Sequence, residues 1–102
     1  MGEFLKVAKT EDLSDNAGIL VEVKDKKIAL FCTEEGYCAI DDTCPHKGGP
    51  LSEGELEGNE VACPWHGATF NVKSGEVLSP PASTGVGAYT VRISGDDIEI
   101  EV

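Results

Sequence analysis

The chain has 102 residues, of which 40% are apolar, so it is long enough to bury the core of one globular domain and too short for two. Its 19 acidic and eight basic residues give a net charge of −11, which excludes nucleic acid and anionic lipid as partners and favours a basic protein surface. No run of about 18 apolar residues is present to span a membrane, and the first residues lack a secretory signal, so we expect a cytoplasmic protein.

Short apolar or alternating segments, separated by glycine and acidic turns, follow one another along the whole chain and predict an all-β fold. The predicted strands are 4–8, 19–24, 27–33, 37–41, 60–63, 69–72, 88–94 and 97–102, with one helical turn at 10–13. Two-residue turns at Asp25-Lys26, Gly58-Asn59 and Gly95-Asp96 are predicted to join hairpins. The segment 78–85 is predicted to be a surface loop, because Pro80 and Pro81 remove the amide donors that a central strand needs.

Two of the four cysteines, Cys32 and Cys38, lie within apolar strand segments. A free thiol in such a segment usually behaves as a small core residue, and a reducing cytoplasm disfavours disulfides. We therefore expect both to pack in the core.

The other two cysteines each lie close to one of the chain's two histidines. The clusters are Cys44-Pro45-His46 and Cys63-Pro64-Trp65-His66, with sixteen residues between them. Thiolate and neutral imidazole are good ligands for zinc and iron, so the pattern predicts a metal site. A single tetrahedral zinc would use all four side chains, and two adjacent irons would use one thiolate and one imidazole from each cluster.

The two clusters and their following residues resemble the ligand loops of Rieske [2Fe-2S] proteins. The matching segments are Cys44-Pro45-His46-Lys47-Gly48-Gly49-Pro50-Leu51 and Cys63-Pro64-Trp65-His66-Gly67-Ala68-Thr69-Phe70. In that family two histidines replace two cysteines on one of the two irons. The resemblance implies one [2Fe-2S] cluster per chain, with Cys44 and Cys63 on one iron and His46 and His66 on the other.

The resemblance also implies a fold. It is a single domain over 1–102, an antiparallel β-sandwich with a small inserted cluster-binding subdomain at about 43–70, and a proline loop at Pro80 and Pro81 beside the cluster. Family members of high potential carry an additional cysteine in each loop and two hydroxyl side chains near the cluster. Here Gly49 and Trp65 take the cysteine positions, and Ala68 and Phe70 the hydroxyl positions. The resemblance therefore implies a potential nearer the family's lower value of about −150 mV than +300 mV.

Three functions are compatible with these patterns. The first is a one-electron carrier between a flavoprotein reductase and a terminal oxygenase of the aromatic-ring dioxygenase type, which is no enzyme by itself. The second is the small subunit of an NAD(P)H nitrite reductase, whose fold also resembles the Rieske domain. The third is an interaction module stabilised by zinc. The sequence shows no nucleophile paired with a base, which favours a carrier over an enzyme.

Overall fold

The computed structural model describes residues 3–14, 16–34, 36–43, 49–65, 67–79 and 85–102. Within these residues the chain forms three antiparallel sheets and two short 3-10 helices. The strands are β1 (Phe4–Lys9), β2 (Ala17–Val23), β3 (Lys26–Thr33), β4 (Gly36–Asp41), β5 (Glu55–Glu57), β6 (Glu60–Ala62), β7 (Thr69–Asn71), β8 (Val77–Ser79), β9 (Ala88–Tyr89), β10 (Val91–Ser94) and β11 (Asp97–Glu101), and the helices are η1 (Thr10–Asp12) and η2 (Leu51–Glu53). The first sheet has the order β1-β11-β10, the second β2-β3-β4-β9 and the third β5-β6-β7-β8.

The second sheet is the central layer, because each of its faces packs against one of the other sheets. On β3, Ala29 and Phe31 join the core shared with the third sheet. The alternate residues Ile28 and Leu30 join the core shared with the first sheet. Burial on both faces explains why β3 is a continuous apolar run and does not alternate with polar residues.

The cysteines outside the ligand clusters pack in these two cores, as predicted. Cys32 is buried in the core on the first-sheet side, and Cys38 is half-buried against the core on the other side. Neither forms a disulfide bond. Since they lie on opposite faces of one sheet, they cannot form a disulfide with each other without rearranging the strands.

The all-β prediction is confirmed, and most predicted strands begin and end within two residues of the observed ones. The predicted strand 88–94 is two strands, because β9 pairs with β4 while β10 pairs with β11. The chain therefore passes from one sheet to another at Thr90. The segment 78–85 was predicted to be a loop throughout, and this is wrong at its start, since Leu78 and Ser79 belong to β8.

Of the three predicted turns named above, two are confirmed and one is wrong. Glu57 pairs with Glu60 and Ser94 with Asp97, which places Gly58-Asn59 and Gly95-Asp96 at the turns as expected. The first hairpin instead turns at Lys24-Asp25, one residue earlier than predicted, because Val23 pairs with Lys26. Both turn residues have positive φ, 50° and 64°, as a tight two-residue turn requires.

The two ligand clusters lie in the sequence between elements of this fold. The first lies in the segment between β4 and η2, and the second lies between the hairpin-paired strands β6 and β7. The division into one domain with a cluster-binding subdomain at about 43–70 stays a prediction. Among the described residues, no helix is long and apolar enough to cross a membrane.

Candidate metal centre

Cys63 is the predicted ligand whose surroundings the structure describes. It directly follows β6 and is 2% exposed, so its thiol is inside the protein. It belongs to the same core as Val61, Ala68 and Phe70. The other predicted ligands, Cys44, His46 and His66, lie outside the described residues.

The second ligand loop is closed by a tight backbone turn. The Cys63 N–H donates to the Ala68 carbonyl at 2.7 Å, and the Gly67 N–H donates to the Cys63 carbonyl at 3.0 Å. Gly67 has φ of +79°, which an L-amino acid with a side chain rarely adopts. Both backbone groups of Cys63 are therefore engaged, which holds its backbone in place at the start of the loop between β6 and β7.

The base of the first ligand loop is closed by Asp42, which sequence reasoning missed. Its carbonyl accepts the Leu51 N–H at 2.7 Å, and its carboxylate accepts the Ser52 N–H at 2.7 Å. Thr43 and Pro50 then pair as an isolated antiparallel bridge. Asp42 is 4% exposed, and its position directly before a loop was the signal available in the sequence, since aspartate often accepts backbone N–H groups at turns.

The two loops meet where Gly49 faces Cys63. A Cβ built on Gly49 would lie 2.7 Å from Cys63 Sγ and 3.1 Å from Trp65 Cγ, closer than real side chains pack. Any larger residue at position 49 would occupy the space beside the sulfur. Glycine therefore lets the backbone at position 49 approach the sulfur and the indole closely, and a buried sulfur where the two loops meet fits a metal cluster held between them.

The described residues around Cys63, where the two ligand loops meet, are mostly apolar. Ala68 and Phe70 are fully buried and carry no hydroxyl, as their sequence positions implied. Thr69 lies between them in sequence, but its hydroxyl bonds to the hydroxyl of Ser79 at 2.7 Å and so links β7 to β8. The residues described here therefore offer few side-chain donors that would stabilise additional negative charge on a cluster.

Trp65, in the second ligand loop, lies at the protein surface. Its side chain is 57% exposed, although it lies two residues after the buried Cys63 and packs against Gly49. A buried sulfur is thus separated from solvent by a short loop. Of the predicted proline loop, Pro80 and Pro81 lie outside the described residues; the segment after it is anchored where the Val86 N–H donates to the Gly75 carbonyl at 2.8 Å.

A small all-β domain that holds a buried cysteine between two loops near its surface has the architecture of a metal-cluster electron-transfer domain. A family model described as the Rieske [2Fe-2S] domain matches residues 3–90. The chain therefore belongs to the Rieske family, and its cofactor is a [2Fe-2S] cluster.

Similar proteins of known role agree with this family. The ferredoxin component of a naphthalene 1,2-dioxygenase system from Pseudomonas aeruginosa is 35% identical over 82 residues, which cover 80% of this chain and 79% of that one. A solved complex of reduced oxygenase and oxidized ferredoxin in carbazole 1,9a-dioxygenase contains a chain that is 30% identical, with a TM-score of 0.89 and coverage of 96% of this chain and 92% of that one.

A third similar structure is assigned as the small subunit of an NADPH nitrite reductase. It is 24% identical, with a TM-score of 0.84 and coverage of 96% of this chain and 97% of that one. At this identity the likeness shows the shared fold alone.

Proposed function

We propose that Cys44 and Cys63 hold one iron of the cluster and that His46 and His66 hold the other. The burial of Cys63 and the close approach of Gly49 to its sulfur support this assignment for the second loop. For the first loop, the support is that Thr43 and Pro50, which flank the segment carrying Cys44 and His46 in the sequence, pair as an antiparallel bridge. When bound, such a cluster accepts and donates one electron.

We further propose that the chain is a one-electron carrier that passes electrons from a flavoprotein reductase to a terminal oxygenase of the aromatic-ring dioxygenase type. The observation that carries this proposal is that the buried Cys63 lies two residues before the exposed Trp65. Electron transfer between proteins needs a cluster close to the surface. The relatives named as ferredoxin components support the same role. In it the chain is an electron-transfer component, without a reaction of its own, working in the cytoplasm.

The alternative of a nitrite reductase small subunit shares this fold and is separated from the carrier by its partners. The zinc-stabilised module loses its support, because the family's cofactor is a [2Fe-2S] cluster. A carrier exchanges electrons in transient encounters, whereas a subunit stays bound to its enzyme. Stable copurification with a sirohaem-containing protein would favour the nitrite reductase subunit.

The ligand set is tested by substituting each cysteine in turn and measuring iron and acid-labile sulfide in anaerobically purified protein. We expect Cys44→Ala and Cys63→Ala to lose the cluster and its visible absorbance. Cys32→Ala and Cys38→Ala are matched controls that remove a thiol from each core and keep the cluster. His46→Ala and His66→Ala are expected to abolish the EPR signal of the reduced Rieske cluster. A full cluster in Cys63→Ala would contradict the assignment.

The carrier role is tested by mixing the purified protein with NADH and with the reductase and oxygenase components of a naphthalene dioxygenase system. We expect product formation to depend on the intact chain and to be absent with the Cys63→Ala control. Reduction by the reductase without any delivery to the oxygenase would count against this partner class. It would leave the cluster assignment intact, since that is measured independently.

A further inference from the structure

Asp41, at the end of β4, forms three hydrogen bonds with Gly87, which directly precedes β9, and with Tyr89 in β9. Its carboxylate accepts the Gly87 N–H at 2.9 Å through Oδ2 and the Tyr89 hydroxyl through Oδ1. Its own N–H donates to the Gly87 carbonyl at 2.9 Å. One residue therefore engages two positions that are 46 and 48 residues away in sequence.

The contact is a close one. A Cβ built on Gly87 would lie 2.9 Å from Asp41 Oδ2, so a side chain at position 87 would require the carboxylate to shift away from this backbone. A hydrogen bond to an ionised acceptor is also stronger than one between neutral groups. Asp41, Gly87 and Tyr89 together are called the Asp41 clamp below.

The clamp lies at the base of the first ligand loop. Asp41 is three residues before Cys44, and its neighbour Asp42 closes the loop from the other side through Ser52. The two adjacent carboxylates thus bind different segments. Asp42 binds Ser52, which follows the first ligand loop, and Asp41 binds Gly87 and Tyr89 at the start of β9. The strand that delivers Cys44 is fixed from both sides.

An open pocket of about 570 Å³ lies beside the clamp. Its lining residues are Asp25, Lys26, Lys27, Asp41, Thr43 and Tyr89. Since Thr43 is adjacent to Cys44, small solutes in this pocket reach the base of the ligand loop. A loosened clamp would widen this access for water and for chelators.

Tyr89 remains a donor in this setting over a wide pH range. Burial, together with the hydrogen bond to Asp41, raises the pKa of the phenol to about 12. Lys26 Nζ lies 5.7 Å from the centroid of the same ring and holds it from the pocket side.

We propose that Asp41 is a positioning residue which, through Gly87 and Tyr89, fixes the base of the first ligand loop and so protects the cluster from loss. The proposal concerns the cluster and not its redox partners, and it rests on the proposed ligand role of Cys44. Its test uses no partner protein, so its failure is distinct from failure of the carrier role.

The experiment compares the intact cluster-loaded protein with three variants. Asp41→Ala removes both carboxylate bonds, Tyr89→Phe removes one, and Asp41→Asn is the conservative variant. The asparagine amide retains both contacts, because its oxygen accepts from Gly87 while its nitrogen donates to the Tyr89 oxygen. The readouts are the rate at which a chelator bleaches the visible absorbance and the EPR spectrum of the reduced protein.

We expect Asp41→Ala to bleach about tenfold faster than the original protein and Tyr89→Phe about threefold faster, as loss of charge-assisted hydrogen bonds suggests. Asp41→Asn is expected to restore the bleaching rate to within about twofold. The EPR spectrum of Asp41→Ala should differ from that of the original protein, since the ligand geometry changes. The double variant Asp41→Ala with Tyr89→Phe should match Asp41→Ala alone, because both substitutions break the same interaction.

Two controls separate positioning from a general loss of stability. Asp97→Ala removes an exposed carboxylate paired with Lys6, and Tyr37→Phe alters the tyrosine at the opposite end of β4. Neither should change bleaching or EPR. Unchanged bleaching and EPR in Asp41→Ala would overturn the proposal, as would a bleaching rate that merely follows the urea unfolding midpoint across all variants. If Asp41→Ala does not fold, unchanged bleaching in Tyr89→Phe overturns the proposal instead.

Discussion

Gly49 faces the sulfur of Cys63 so closely that a Cβ on the glycine would lie 2.7 Å from Sγ. The two residues belong to different ligand loops, and this contact is where the described parts of the loops meet. A side chain at position 49 would therefore collide with the proposed ligand. Trp65 covers the same glycine from the solvent side.

The first prediction concerns this contact. Gly49→Ala should lower the iron and sulfide content of purified protein, because the added methyl group would collide with Cys63 Sγ and with Trp65 and displace the proposed ligand. Overpacking of this kind typically costs about 1–3 kcal/mol. The measurement is iron per chain together with visible absorbance.

Gly95→Ala is the matched control for this substitution. Gly95 lies at the β10–β11 turn with φ of +62° and has no neighbour within 4 Å of a built Cβ. Alanine there should cost about 1–2 kcal/mol of folding stability through backbone strain, with full cluster content. Equal cluster content in Gly49→Ala and Gly95→Ala would refute the steric account.

A second prediction concerns Trp65 as a contact for redox partners. The exposed indole next to a buried ligand has the properties of an interface anchor. Trp65→Ala should slow electron transfer to the oxygenase by about tenfold, which corresponds to about 1.4 kcal/mol, and leave the midpoint potential unchanged. Stopped-flow kinetics and a redox titration measure the two quantities.

The control for Trp65 is Leu20→Ala, since Leu20 is also an exposed apolar side chain, 46% accessible, but lies on β2. Its removal should leave the transfer rate unchanged. A shifted potential with an unchanged transfer rate in Trp65→Ala would instead identify the indole as a shield against water.

A third prediction concerns the reduction potential. Few described side chains can donate hydrogen bonds near Cys63, and Ala68 and Phe70 are apolar and buried. The midpoint should therefore lie toward the low end of the family's range, near about −150 mV. Ala68→Ser should raise it, because an added hydroxyl stabilises the reduced, more negative cluster. A midpoint well above 0 mV in the unaltered protein would show that other donors dominate.

A fourth prediction follows from the pKa of Tyr89. Burial and the hydrogen bond to Asp41 raise this pKa from 10.0 to about 12, so the folded protein holds the phenolic proton more tightly than the unfolded chain. The resulting stabilisation is fully present below about pH 10 and is lost as the pH rises toward about 12. The difference in urea unfolding midpoint between the original protein and Tyr89→Phe should shrink across this interval.

The same pKa can be read directly from phenolate absorbance. The chain has two tyrosines, so a Tyr37→Phe background isolates Tyr89. Asp41→Asn in that background should lower the pKa of Tyr89 toward 10, while burial keeps part of the upward shift. An unchanged titration would mean that the carboxylate contributes nothing to it.

The elements that sequence could locate are those with strong local signals. The uninterrupted run of β3 and the alternation of β11 were visible in the sequence, because each residue's burial there follows from strand geometry. Strands β5 and β8 have three residues each, and β5 has a single apolar residue between two glutamates, so no periodicity was available to reveal them. The change of sheet at Thr90 was equally hidden, since it depends on β9 pairing with β4 while β10 pairs with β11.

By itself, the sequence determined which side chains are candidate metal ligands: two Cys-Pro clusters with nearby histidines predict a site for zinc or iron, because metal preference depends on side-chain type. Its resemblance to the Rieske family then implied the [2Fe-2S] cluster. The sequence also determined the all-β class, through alternation and turn residues. Only the tertiary structure decided that Gly49 faces Cys63, that Asp42 closes the first loop and that Asp41 bonds to Gly87 and Tyr89. These contacts join residues 10 to 48 positions apart in the chain, and such pairings are set by how the sheets pack, which no local pattern encodes.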